Sequence, residues 1–355
     1  SQAADNVYMS LVSLYELGEL HLVQGQLQRA ADVFRQGLAL AQARATPGMT
    51  MPGALHAGLS AVLYDWDELA EARQHALTAV ALGEQGRSLG VRVCAYTRLS
   101  LIERARGDEA AARTAFEAAA RLAPAAVRRR TSFLAHHDVQ AVLWGRLGGA
   151  GPAASFFAAH ALRPETPPDG MNEAGLLALA RWLVEAQRPA EARDLLQRLS
   201  GPAEAAGRFG RLGEIKVLEA RAELALGQAA AAGAALARAL NLAQPENRRR
   251  LFLDEGSGVR DLLSRVSGRP RAFAEQLLAG FPRREHAAGE ADALSERELD
   301  VLRLIAAGLS TQAIAQQLVV APSTIQTHLK HLYSKLDVHS RTQAVARARA
   351  LRLLE

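Results

Sequence analysis

Apolar residues recur three and four positions apart through most of the first 245 residues, with Ala, Leu, Glu, Arg and Gln between them. That spacing belongs to amphipathic helices, and the filling residues are good helix formers. A second, longer period lies on top of the first. A turn residue is followed five positions on by a small residue, and four further on by a bulky one. The turn positions are Gly25, Asp67, Gly107, Gly148, Gln187 and Gly227, separated by 42, 40, 41, 39 and 40 residues. The small position is alanine throughout, at Ala30, Ala72, Ala112, Ala153, Ala192 and Ala232, and the bulky one reads Phe34, Ala76, Phe116, Phe157, Leu196 and Leu236. Six returns predict six antiparallel helical hairpins, with alanine where the two helices approach closely. One hairpin cannot bury its own apolar side, so stacking must supply the core and leave a concave inner face.

On Leu17-Gly18, Gly25, Ala30 and Phe34, this pattern resembles the tetratricopeptide repeat, with a period near forty in place of thirty-four. The resemblance implies an inner face that binds peptides, proteins or small ligands. The repeat register places Tyr15, Glu19, Tyr64, Thr97, Arg104, Asp138, Arg181, Glu214 and Arg221 on that face as candidate effector contacts. An all-purpose scaffold with a merely solvated inner face is the competing expectation.

The repeat ends at Pro245. The stretch Arg248 to Val266 (RRRLFLDEGSGVRDLLSRV) keeps an apolar helical face while breaking the period, and reads as a capping or coupling element. FPRREHAAGEADA, Phe281 to Ala293, carries Pro, Gly and mixed charge, the composition of a linker. The expected organisation is a repeat domain over 1–245, coupling helices over 246–280, a linker over 281–293 and a terminal domain over 294–355.

In the terminal domain, Ser295 and Glu298 form a capping box ahead of Leu299, Leu302, Ile305 and Ala306, and Gly308 ends that helix. Ser310 opens a short second helix with Ile314, Ala315 and Leu318 facing inward. Val319 to Ala321 make a turn, and Pro322 starts a third helix whose inner face is Ile325, Leu329, Leu332 and Leu336. Ala315 and Ile325, on either side of the turn, take the positions where the helices of a helix-turn-helix cross. The opposite face of the third helix, with Ser323, Gln326, Thr327, Lys330 and Ser334, is polar, short or basic, as entry into a major groove requires. Gln suits an adenine edge, Lys a guanine acceptor or a phosphate, and Thr a base edge or the thymine methyl. Thr311, Thr324, His331, Lys335 and Arg341 complete the candidate DNA-binding set. From Val319 to Arg352 the only acid is Asp337, against six Lys or Arg residues.

The segment LSERELDVLRLIAAGLSTQAIAQQLVVAPSTIQTHLKHLYSKLDVHSRTQAVARARAL resembles the LuxR-type helix-turn-helix domain over its whole length. VAPSTIQTHLKHLYSKLDV, and LFLDEG after a helical array, are similar to the MalT-like branch of that family. The resemblance implies double-stranded DNA as partner, base and phosphate contacts from Gln326, Thr327 and Lys330, and dimerisation through a fourth helix from about Ser340 to Leu353. Two positions depart from the pattern: most relatives have lysine at Gln326, and many have serine at Ala321. The first leaves the operator sequence open; the second weakens a helix cap by roughly 1 kcal/mol.

Composition adds limits. The formal charge of +5 permits a polyanionic partner without demanding one. Lys216, Lys330 and Lys335 are the only lysines and none follows a glycine, so no GxxxxGK[ST] phosphate loop is present and the nucleotide-hydrolysing domain of the MalT-like branch is not expected in this chain. Cys94 stands alone, which excludes an intramolecular disulfide or a cysteine zinc site. His328 with His331, and His136 with His137, read as structural histidines or phosphate contacts, so no metal and no cofactor is expected. Asp65, Asp67, Glu68 and Glu71 read as solvated residues that favour a helix start, not as catalytic carboxylates. With no leader and no long apolar run, the expectation is a cytoplasmic, non-enzymatic, all-α protein: a tetratricopeptide-like superhelix followed by a small four-helix LuxR-type domain. It would regulate transcription as a homodimer on DNA under an effector, small molecule or protein. The alternative is a protein-interaction scaffold with a vestigial or masked DNA-binding module.

Overall fold

The computed structural model describes residues 2–44, 50–128, 157–158, 161–169, 172–266, 270–281, 296–318, 325, 328–329, 332–333, 336, 338, 340–351 and 353. Among these residues there are sixteen α-helices and no strand. They fall into two compact units, Ser1–Phe281 and Pro282–Glu355.

In the first unit, α1 (Gln2–Gln24) pairs with α2 (Leu27–Ala43), α3 (Met51–Asp65) with α4 (Leu69–Gln85), and α5 (Leu89–Ala105) with α6 (Glu109–Arg128). After residues outside the described set, α7 (Glu173–Glu185) pairs with α8 (Pro189–Ala205) and α9 (Phe209–Ala225) with α10 (Ala229–Ala243). These are five of the six hairpins expected; the fourth, with Gly148 and Ala153, lies outside the described residues apart from Phe157 and its neighbour. Each described turn residue has positive φ: Gly25 76°, Asp67 69°, Gly107 84°, Gln187 61° and Gly227 76°. The left-handed residue lets the chain reverse while the next amide reaches back five residues, as Glu68 N–H does to Leu63 O and Asp108 N–H to Glu103 O. The same turn recurs between hairpins at Arg87 and Gly207, so from Asp67 to Gly107 and from Gln187 to Gly227 a helix and a turn repeat about every twenty residues.

The alanine positions do what the period implies. Ala30, Ala72, Ala192 and Ala232 are fully buried and Ala112 nearly so. In the second and third hairpins a buried serine of the first helix donates to the alanine carbonyl: Ser60 Oγ to Ala72 O at 2.9 Å, and Ser100 Oγ to Ala112 O at 2.8 Å. Phe34, fully buried, lies between two glycines on neighbouring helices. A Cβ built on Gly18 of α1 would meet the ring at 2.3 Å, and one on Gly58 of α3 at 2.5 Å. The glycines are thus the complement of the bulky position.

The array also meets itself. The end of α1 packs against the start of α9, where a Cβ on Gly210 would come within 2.5 Å of Leu22 O. Beyond α10, a 3₁₀ turn (Gln244–Glu246) leads into α11 (Arg250–Leu253), α12 (Gly256–Leu263) and α13 (Arg271–Gly280). Leu251, Phe252, Leu253, Val259, Phe273 and Leu277 from these elements join Leu236 and Leu240 of α10 in one core.

The second unit contains α14 (Glu296–Ala306), α15 (Thr311–Gln317) and α16 (Arg341–Ala350), with Ile325, His328, Leu329, Leu332, Tyr333 and Leu336 helical between the last two. Val301, Leu302, Ile305, Ile314, Ala315, Ile325, Leu332, Leu336, Ala344 and Ala348 form its core.

Candidate functional sites on the inner face and in the terminal unit

The inner-face candidates divide by environment. Tyr15 is only 2% exposed, its ring 6.3 Å from that of Phe34. Burial pushes its hydroxyl well above the usual range, with Glu19 adding to the effect. Thr97 is buried and donates to Val93 O within its own helix at 2.8 Å. Arg104 is exposed, and Asp138 lies outside the described residues. Beside Tyr15 and Glu19, Arg98 was not singled out from the sequence. Its guanidinium pKa is raised: burial alone would lower it, and Cys94, Glu19 and Asp65 reverse the sign. Burial holds the Cys94 thiol up at about 11, which leaves it protonated and unreactive.

The other four candidates are engaged by the chain itself. Tyr64 donates its hydroxyl to Asp254 at 2.7 Å, and the Arg250 guanidinium sits over its ring at 5.3 Å. Glu255, whose side chain is 1% exposed, is held by Arg181 at 2.6 Å and by Arg221 at 2.9 Å. Glu214 pairs with Arg211 at 3.3 Å and with Arg248 at 3.7 Å. The RRRLFLDEG stretch therefore lies against the residues that the repeat register had assigned to an effector. Asp65 and Asp67 are engaged in the same way. They are not solvated helix-start residues: Asp65 pairs with Arg248 at 2.9 Å, and Asp67 with Arg250 at 3.2 Å and Arg249 at 3.6 Å. Burial alone would lower the Arg248 pKa, but Asp65 and Glu214 raise it, so it remains a cation inside the array. A signal for this pairing exists in the chain, three arginines and two acids framing an apolar triplet, but Asp65 and Asp67 lie 183 residues from Arg248 and Arg250.

In the terminal unit, Gly308, at φ 87°, ends α14. Ser310 then caps α15 by accepting from Ala313 N–H at 3.2 Å, and Ser340 caps α16 by accepting from Gln343 N–H at 3.3 Å. Ala315 and Ile325 are both buried in the common core, as are Leu332 and Leu336, with Leu329 half-buried against it. Thr311 opens α15 and is half-buried; His328 is half-buried as well. Arg341 donates to Ile305 O at 3.1 Å and to Leu309 O, so its guanidinium holds the carbonyl end of α14. Ser323, Thr324, Gln326, Thr327, Lys330, His331, Ser334 and Lys335 lie outside the described residues, as does Ser295 of the capping box.

Among the described residues no group of three or more His, Cys, Asp or Glu is arranged to hold a metal ion, and no helix is long and apolar enough to cross a membrane.

A stacked array of helical hairpins followed by a compact helical unit, with a short capped helix ahead of an inward apolar stripe, defines a repeat-plus-helix-turn-helix regulator. Family models place it further: residues 1–269 match the MalT-like TPR region, and residues 292–348 match the luxR family of bacterial regulatory proteins. The chain belongs to the MalT-like regulators that carry a LuxR-family domain. It is similar to the HTH-type transcriptional regulator MalT of Vibrio campbellii, 24% identical over 371 residues that cover 97% of this chain and 41% of the relative. The probable transcriptional regulatory protein NarL of Mycobacterium tuberculosis is 46% identical over 99 residues, 27% of this chain and 45% of that protein. The nitrate/nitrite response regulator protein homolog of Haemophilus influenzae is 46% identical over 61 residues, 17% of this chain and 29% of its own. The chain thus spans less than half the length of each of these relatives.

Proposed function

We propose that this chain is the sensing and DNA-binding part of a transcriptional regulator, and that it acts on double-stranded DNA as a homodimer. The observation that carries this reading is the inward stripe of Ile325, Leu329, Leu332 and Leu336, packed with Ile314 and Ala315 of α15. A helix with that stripe turned inward has its intervening polar positions available to a major groove, which supports Gln326, Thr327 and Lys330 as base and phosphate contacts and Ser323, Thr324, Ser334 and Lys335 as flanking ones. Arg341 has a positioning role in this reading, through the end of α14. The inner face of the array receives the signal.

Binding of the full chain to a duplex pool, followed by fluorescence anisotropy as salt is raised, tests the reading. Affinity falls steeply with salt, and Lys330→Glu lowers it at every salt concentration. Salt-insensitive binding, or an unaltered Lys330→Glu chain, argues against it. A scaffold reading is favoured by one observation: Met9, Leu17 and Leu20 leave 58%, 41% and 51% of their surface exposed along α1. An apolar stripe of that kind suits a protein partner. Partner capture that survives loss of DNA binding would support it.

A further inference from the structure

The ten residues from Glu246 to Glu255 join opposite ends of the array. Toward the first two hairpins, Glu246 accepts from the Gln28 amide at 2.9 Å through its carboxylate and from the Trp66 indole at 2.9 Å through its carbonyl. The Arg249 amide donates to Asp65 O at 2.8 Å, and the pairs of Arg248 with Asp65, Arg250 with Asp67, and Tyr64 with Asp254 follow along the same edge. Toward the last two hairpins, Arg248 donates to Gly210 O at 2.9 Å, and Glu255 sits between Arg181 of α7 and Arg221 of α9. Leu251, Phe252 and Leu253, all buried, anchor the middle in the core of α10 to α13.

Two features make the charged edge unlike ordinary packing. Buried ion pairs add little net stability over apolar residues of similar volume, because desolvating both charges offsets their attraction. Here Tyr64, Asp65 and Asp67 face three consecutive arginines where Leu or Phe would seal the contact. Among the described residues, the Nε atoms of Arg249 and Arg250 are also buried without a hydrogen-bond acceptor, which is a standing cost of the closed form. The closed contact is therefore specific in geometry and inexpensive to open.

We propose that residues 246–255 are a releasable clasp: the Leu251-Phe252-Leu253 anchor stays in place, while the ties to Tyr64, Asp65 and Asp67 part and open the array between its second and last hairpins. A ligand or partner that uses Tyr64, Arg181, Glu214 or Arg221 must then displace the clasp. That consequence rests on the sensing role proposed above; the clasp itself does not.

Hydrogen exchange by mass spectrometry on the full chain tests it with Asp65→Asn/Asp67→Asn, which removes both charges at nearly constant volume. Amides over 64–68 and 246–250 are expected to exchange at least tenfold faster than in the wild type, with α8 and residues 296–306 unchanged. Unaltered protection at 246–250 overturns the proposal, as does a uniform loss across 2–281. The wild-type chain gives an independent reading in sub-denaturing urea. Residues 64–68 and 246–250 are expected to share one opening that precedes exposure of α9 and α10. A single urea dependence for all of them overturns the clasp. Neither readout depends on DNA binding, so failure of the functional reading and failure of the clasp are separable.

Discussion

Gly58→Ala is the sharpest test of how the repeats pack. The added methyl would lie 2.5 Å from Phe34 Cζ and 2.6 Å from Cε1, about an ångström inside ordinary contact. The ring cannot retreat, because Gly18 offers no more room on the other side and Phe34 is wholly enclosed. Overpacking of this kind costs about 1–3 kcal/mol. An alanine in place of glycine in a helix interior returns about 1 kcal/mol. The enclosure of the ring puts the site at the upper end of the range, so the expected net loss is about 2 kcal/mol. Gly233→Ala is the internal control: it is in α10 with nothing within 4 Å of its built Cβ, and it should gain about 0.5–1 kcal/mol. Urea unfolding of the full chain, followed by circular dichroism and by exchange in α1 to α4, reads both. Phe34→Leu in the Gly58→Ala background should cost less than the sum of the single changes, since it frees the space the methyl needs. A neutral or stabilising Gly58→Ala, behaving like Gly233→Ala, would refute the packing argument.

Three further outcomes are expected. His56 and His75 face each other with Nδ1 atoms 2.7 Å apart, and burial followed by His75 lowers the His56 pKa to about 4. The folded form thus binds its proton less readily than the unfolded chain; stability is full above about pH 6.5 and is lost as pH falls toward 4, by of order 2 kcal/mol after allowance for solvent screening, and a urea-midpoint profile of His56→Leu should be flatter over that window. Arg341→Gln should destabilise the terminal unit by about 1–2 kcal/mol, measured by exchange in α14, while leaving the salt slope of DNA binding unchanged, whereas Lys330→Gln should reduce that slope by about one. Ser310→Ala should remove the α15 cap and cost about 1 kcal/mol in the same unit, with no loss in the array.

The features visible in the sequence were those set by local chemistry. The alanine period marked each of the five described helix pairs, since only a small side chain fits there. Ser310 and Gly308 announced the ends of the first two terminal helices, because caps and left-handed stops involve neighbours in the chain. Arg87 escaped notice because an arginine at φ 49° is a turn residue by context and not by type. The clasp escaped because its two sides are far apart in the chain: Asp65 read as a helix-start acid until Arg248 was found beside it. Four of the nine effector positions drawn from the repeat register have partners elsewhere in the chain, at Tyr64, Arg181, Glu214 and Arg221. Arg341 illustrates the same limit at short range. The sequence placed it in the candidate DNA-binding set, while the fold gives it the carbonyls of Ile305 and Leu309.

Sequence-selective reading of DNA by the terminal unit decides the proposed function. Repeated selection of random duplexes by the full chain, with sequencing of the bound pool, tests it most directly. Enrichment of one paired half-site motif is expected, as a homodimer would select, with an altered base preference in Gln326→Lys and no enrichment with Lys330→Glu. A pool that stays random with the wild-type chain, or one that Lys330→Glu enriches equally well, would contradict it.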